Sequence, residues 1–132
     1  MITMRDLGAV RAIKLELEAY EVLLRRVETS LASLTALAQR FPNAKNFRNK
    51  IELLTLKKLS YEETIENLRG RLEETAYELA TRICQEVEDD SAQTLLLLRY
   101  VECLSWTQVA ERMHYDRRYV FKLHKKTLAG TT

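Results

Sequence analysis

Nine apolar residues, Val10, Ile13, Leu17, Tyr20, Leu24, Val27, Leu31, Leu34 and Ala38, follow one another at alternating steps of three and four. Such steps keep side chains on one stripe of a helix, and repetition over about four heptads makes the stripe a coiled-coil seam. A helix from about Arg5 to Arg40 is needed to present it, roughly 50 Å long at about 1.5 Å per residue. A long helix with one narrow apolar stripe is not stable alone, so a second helix must cover the seam.

The chain supplies one. Ile51, Leu54, Lys58, Tyr61, Ile65, Leu68, Leu72, Ala76, Leu79, Ile83 and Val87 begin in heptad register and slip by a residue after Leu72, which locally unwinds a supercoil. Lys58 can lay its stem along the seam and keep its amine in water. Between the two patterns, Phe41-Pro42-Asn43-Ala44-Lys45-Asn46 holds the only proline, so the first helix is expected to stop there and the chain to turn back. Gly70 costs a helix about 1 kcal/mol relative to alanine, which suits a close crossing or a bend. Ser60 with Glu63 has the form of a capping box at which the helix could restart.

Leu53, Leu56 and Leu59 widen the second stripe beyond a strict seam, which favours more than one neighbour. Two arrangements satisfy the pattern: an antiparallel hairpin within the chain, or hairpins from two chains in a four-helix bundle. A homodimer through the N-terminal helices is the expectation, with an unpartnered spacer as the plainer alternative. The expected fold class is therefore all-α: a long N-terminal antiparallel helical hairpin over 1–90, then a three-helix module over 91–132.

The acidic run Glu86-Val87-Glu88-Asp89-Asp90 marks that joint, with Asp90 or Ser91 as cap of the next helix. Leu95 to Leu98 make this helix apolar around most of its girth, so it is expected to be shared core between the hairpin and the last two helices. Ser105 with Gln108 forms a capping box, which starts a helix at Trp106, and Trp106, Val109, Ala110 and Met113 share one face of it. Asp116 can cap a further helix, with Val120, Leu123, Thr127 and Leu128 as its stripe. Ala129-Gly130-Thr131-Thr132 reads as a stop and a tail. Helix, three-residue turn, helix is the punctuation of a helix-turn-helix, whose second helix can lie in the DNA major groove.

The surface of that second helix gives the shape a chemistry. Arg117 and Arg118 stand in its first turn, followed by Lys122, Lys125 and Lys126, with Tyr119, Phe121 and His124 interleaved. Cations facing the positive end of a helix dipole cost roughly 0.3–1 kcal/mol each, and a docked polyanion removes the penalty. An arginine fork there can reach phosphate oxygens or a guanine edge. Two arginines at a helix start are more often a solvated basic end, but a capped helix, short turn and basic second helix together favour the DNA reading.

Leu98-Arg99-Tyr100-Val101-Glu102, Ser105-Trp106 with Val109-Ala110, and Tyr115-Asp116-Arg117-Arg118-Tyr119-Val120 with Leu123-His124 and Leu128 resemble the C-terminal helix-turn-helix of phage late-transcription regulators of the RinA/ArpU type. That domain is in turn similar to the promoter-reading region four of bacterial sigma factors. The resemblance covers roughly the last 40 residues and implies a DNA-binding activator without catalysis, of phage or prophage origin, with the helix after Asp116 as recognition helix and RNA polymerase as a further partner. Cys103 and His114 depart from it, each standing where such sequences carry glycine.

Charge agrees in distribution. Residues 1–90 hold 14 Lys+Arg against 16 Asp+Glu, while 91–132 hold 7 against 3, so the basic excess lies in the final module. An excess this modest predicts weak binding by one module and reliance on a second copy or a partner. No stretch approaches the roughly 18 apolar residues of a membrane span, and no signal peptide is read at the start, so a cytoplasmic location is expected and no membrane partner. Cys84 with Cys103, and His114 with His124, lack metal-ligand spacing, so no metal or cofactor is expected and the thiols read as buried or half-buried. There is no glycine-rich phosphate loop, nucleophile elbow or HExxH, and Glu62-Glu63-Glu66 and Glu73-Glu74 lie at helix-surface spacing; the expectation is not an enzyme.

The expected function is sequence-specific binding of double-stranded DNA by a transcriptional regulator. Arg117, Arg118, Phe121, Lys122 and Lys125 are expected to face DNA, Arg117 or Arg118 to read a base and Lys125 to meet a phosphate. Ser105 and Thr107, with Gln108, could meet phosphates at the N-terminus of their helix. Trp106, Val109, Val120 and Leu123 are expected to join the two helices, and Trp106 could also offer its indole N–H to a phosphate. Two alternatives stand beside this: a phage DNA-packaging recognition subunit of the small terminase kind, and a coiled-coil interaction protein that binds no DNA.

Overall fold

A computed structural model describes the backbone of residues 2–131 and the side chains of 2–129. The chain is 88% helical with no strand among the described residues, so the fold is all-α. Its helices are α1 (Met4–Arg40), α2 (Lys45–Glu86), α3 (Asp90–Leu96), α4 (Trp106–Met113) and α5 (Arg117–Thr131), with a π-helical turn, Leu97–Val101, continuing α3. They fall into two compact units, one of residues up to Lys14 with those from Arg71 on, the other Leu15–Gly70.

The second unit holds the middle of the two seams. Tyr20 sets its ring edge-on to Tyr61 at 5.9 Å between centroids, and Arg69 reaches Glu21 at 3.9 Å. Leu17, Leu24, Leu31, Leu34 and Ala38 on α1, and Ile51, Leu54 and Lys58 on α2, are half-buried, while Val27, Ile65 and Leu68 are buried. The heptad positions are therefore all half-buried or buried, and Lys58 lies in the stripe as its long stem allows. Residues 41–44 connect the helices, with Ala44 N–H donating to the Phe41 carbonyl at 3.1 Å. No restart occurs at Ser60. Helix α2 runs through it, and the Thr64 hydroxyl donates to the Ser60 carbonyl at 3.0 Å.

Two expectations about small and sulfur side chains need correction. A Cβ at Gly70 would meet nothing within 4 Å, so no close crossing accounts for this glycine. Cys84 is exposed and only Cys103 is partly buried.

In the first unit, the start of α1 is fixed by a reciprocal cap: Thr3 N–H donates to Asp6 Oδ2 at 2.9 Å and Asp6 N–H to Thr3 Oγ1 at 3.1 Å. These bonds, and then Arg82 at 3.1 Å, hold the Asp6 carboxyl below its ordinary range. Leu7 and Val10 of α1 are buried with Leu79 and Ile83 of α2, Val87, and Ala92 and Leu96 of α3. The cap of α3 is Asp89, whose side chain accepts from Ala92 N–H, rather than Asp90 or Ser91. Gln93 ties the joint, its Nε2 donating to the carbonyls of Cys84 (3.2 Å) and Val87. Cys84 stands in the last turn of α2, where a carbonyl has no intrahelical donor, and Val87 follows its end.

The leucine run serves two cores within this unit. Leu96 and Leu97 face the α1/α2 side, while Leu95 and Leu98 face Val109, Ala110 and Val120. Four consecutive residues cannot all share one helix face, and here the division joins α3 to both sets of neighbours. The π-helical turn has no counterpart in the sequence reading: Glu102 N–H donates to the Leu97 carbonyl at 3.0 Å, a five-residue span. Helix α5 also runs through Gly130 rather than stopping at Ala129, and Thr132 lies outside the described residues.

Candidate nucleic-acid interface

The capping box at α4 forms as its residues require. Gln108 N–H donates to Ser105 Oγ at 3.2 Å, and Ser105 N–H donates to Gln108 Oε1 at 2.9 Å. Helix α4 ends in a left-handed residue, His114, at φ 59° and ψ 38°. Tyr115 N–H reaches back to the Ala110 carbonyl at 3.0 Å and His114 N–H to Glu111 at 3.3 Å, the paired bonds of a Schellman stop. Among the described residues the other positive-φ residue is Cys103, at 58°, closing the π-helical turn. Both positions at which the chain departs from glycine thus carry the backbone that glycine adopts most easily, at roughly 1–2 kcal/mol for an L-residue. Asp116 stands just before α5, and its carbonyl accepts from Val120 N–H at 3.1 Å.

Helices α4 and α5 pack through Val109, Ala110 and Val120, with Trp106, Met113 and Leu123 half-buried around them. Val120, Leu123 and Thr127 take one side of α5, which leaves Arg118, Lys122 and Lys125 on the other, all exposed. At about 100° per residue these three fall within a sector of roughly 60°. None has an ion-pair partner among the described residues. Arg118 sits where the helix dipole is least favourable to a cation. The result is an uncompensated positive stripe.

Arg117 and Phe121 lie on the flank toward α4. The Arg117 guanidinium is 5.6 Å from the Phe121 ring centroid, and Phe121, 41% exposed, sets its ring at 5.1 Å and 61° to Trp106. Phe121 thus meets Trp106 directly while keeping part of its surface in water. Thr107 is exposed at the first turn of α4, and Ser105, also exposed, has its hydroxyl engaged in the cap.

Behind this surface lies a cluster that sequence reasoning did not assemble. Arg99 donates from Nη1 to the Leu104 carbonyl at 2.7 Å and stacks its guanidinium 4.5 Å from the Trp106 ring. His124 meets Trp106 edge-on at 4.7 Å, and its Nε2 shares a hydrogen bond of 2.5 Å with the Tyr100 hydroxyl. Burial holds His124 below the ordinary histidine range and the Arg99 charge adds to this; burial raises the Tyr100 phenol, with Arg99 opposing. A neutral imidazole paired with a neutral phenol is the consistent state. The bond ties the π-helical turn to the middle of α5. Arg99 and Tyr100 are neighbours in the sequence, but His124 is 24 residues beyond Tyr100, and the fold brings it to them.

No group of three metal-ligating side chains occurs among the described residues, and no described helix is long and apolar enough to cross a membrane. In comparisons with protein families, with curated proteins and with solved structures, nothing matches the chain.

Proposed function

We propose that the chain is a non-catalytic, sequence-specific reader of double-stranded DNA that regulates transcription, in the manner of the phage or prophage activators its last residues resemble. In this reading residues 1–90 form an antiparallel hairpin that pairs two copies, and α3 to α5 form a helix-turn-helix that lays α5 in the major groove. The observation that carries it is the stripe of Arg118, Lys122 and Lys125, exposed and unpaired on the face of α5 turned away from its own core. A phosphate backbone supplies the missing anions, and counterion release supplies the affinity. Arg118 is the base reader, Lys122 and Lys125 bind phosphates, and Arg117 with Phe121 borders the same surface. Ser105 and Thr107 present the first turn of α4 to the adjoining backbone. RNA polymerase is the partner that a sigma-like module would further engage.

Fluorescence anisotropy of the full chain with a random-sequence duplex pool, titrated with salt, tests this. Log K should fall linearly with log salt, and Arg118→Ala/Lys122→Ala/Lys125→Ala should make the slope shallower by roughly 2, at about 0.9 for each of the two phosphates that the lysines no longer neutralise. A folded triple variant that binds as the wild type does would remove α5 from the interface.

A further inference from the structure

We propose that the outer face of α2 is a self-pairing surface, on which two copies of the chain meet antiparallel about Leu56. The proposal rests on the dimeric part of the reading above and adds where and in what direction the copies meet. Leu53, Leu56 and Leu59 are 58%, 65% and 59% exposed, the most exposed leucines among the described residues. They fall within seven residues on the side of α2 away from its seam. At about 100° per residue, Leu53 and Leu59 lie roughly 60° to either side of Leu56, so the three make one apolar stripe. The exposed apolar residues of α1 in the same unit, Leu15, Val22, Leu23 and Leu37, are spread over more than twenty residues and make no such cluster.

The flanking charges say what covers this stripe. Lys45 and Arg48 precede it and Glu63 and Glu66 follow it, all four exposed and none with an ion-pair partner among the described residues. Measured from Leu56, Lys45 and Glu63 both lie about 20° round the helix, and Arg48 and Glu66 both about 80°, on the same side. A two-fold axis through Leu56 keeps each flank on its own side while reversing the chain. The basic end of one α2 then lies against the acidic end of the other: Arg48 beside Glu66 of the second copy, about two residues off register, and Lys45 toward Glu63. Leu56 meets its own symmetry mate, and Leu53 and Leu59 border that contact on its two opposite flanks. Parallel pairing of the same faces would set Lys45 against its own copy and Glu63 against its own, and would leave Arg48 and Glu66 on opposite sides of the contact, where neither meets its counterpart. The same charges that favour one direction disfavour the other.

Sedimentation equilibrium of the full chain, with circular dichroism to confirm helicity, tests the surface. The wild type should be a dimer, and Leu56→Glu, at an exposed position that leaves the fold intact, should weaken the dimer at least roughly tenfold. Arg48→Glu alone should weaken it too, and Arg48→Glu with Glu66→Arg should restore it. A monomeric wild type at high concentration, or a dimer indifferent to Leu56→Glu, would overturn the surface. A double variant no tighter than Arg48→Glu would overturn the antiparallel register. Duplex binding by the same samples separates the two readings: a dimer that obeys these variants and binds no DNA keeps this surface and removes the DNA reader.

Discussion

The two compact units bury their apolar residues to different depths. All seven of the largest fully buried side chains, Leu7, Val10, Ile83, Leu95, Leu96, Val109 and Val120, belong to the unit that contains α3, α4 and α5. In Leu15–Gly70 the same heptad logic leaves most seam residues half-buried, and only Val27, Ile65 and Leu68 reach the buried class. Two helices side by side can enclose a seam on one side only, whereas a helix apolar around its girth, such as the one carrying Leu95 to Leu98, can be enclosed on several. Regular periodicity and depth of burial are therefore separate properties. The more regular pattern here has the shallower core.

The largest test of that contrast is a matched pair of truncations. Leu96→Ala, at 1% exposure, should cost about 3 kcal/mol in denaturant unfolding. Leu24→Ala, half-buried in the other unit, should cost about 1 kcal/mol. Equal costs would erase the difference between the units.

A second test uses the polar bond inside the deeper unit. His124 has its folded-state pKa lowered, so between that value and the unfolded value of about 6.5 the unfolded chain binds the extra proton. Stability should thus fall as pH drops through about 6.5 and level off once the folded state is also protonated. His124→Gln should flatten this region of the profile, and the His124 ring signals should titrate below the ordinary range in an NMR pH series. Removing the hydroxyl in Tyr100→Phe should cost about 1 kcal/mol at neutral pH, read by thermal unfolding.

Gly70→Ala sharpens the comparison from the shallower unit. Its Cβ enters open space inside a continuous helix, so the variant should gain roughly 1 kcal/mol and raise Tm. His114→Gly should give the smallest effect, a gain of a few tenths to about 1 kcal/mol. It relieves the left-handed penalty but adds freedom to the unfolded chain.

What was legible in the sequence follows from how local each signal is. The seams, the turn near Pro42, Lys58 in the stripe and the Ser105–Gln108 box depend on neighbours within a turn or two, and each appears at its expected residues. The two left-handed positions were marked by Cys103 and His114 standing in place of glycine. Asp89, Asp90 and Ser91 are adjacent residues all able to cap, so their order alone could not pick Asp89. Leu95 to Leu98 carry no polar residue to fix a helical phase, which hid the π-helical turn after Leu96. Of the candidate interface, the exposure of Arg118, Lys122 and Lys125 was readable from the stripe on the opposite side of α5. The Arg99, Trp106, His124 and Tyr100 cluster was not, because its interactions join separate helices. Four polar or aromatic side chains on otherwise core-facing stretches were the signal available.

The most direct test of the central claim is a two-dimensional NMR titration of the full chain with a duplex selected from the random pool. The account predicts that signals of Arg118, Lys122 and Lys125, and of the first turn of α4 from Ser105 to Gln108, move together and saturate. Those of Leu15–Gly70 should keep their positions. Movement confined to Leu15–Gly70, or none in α5, would contradict it.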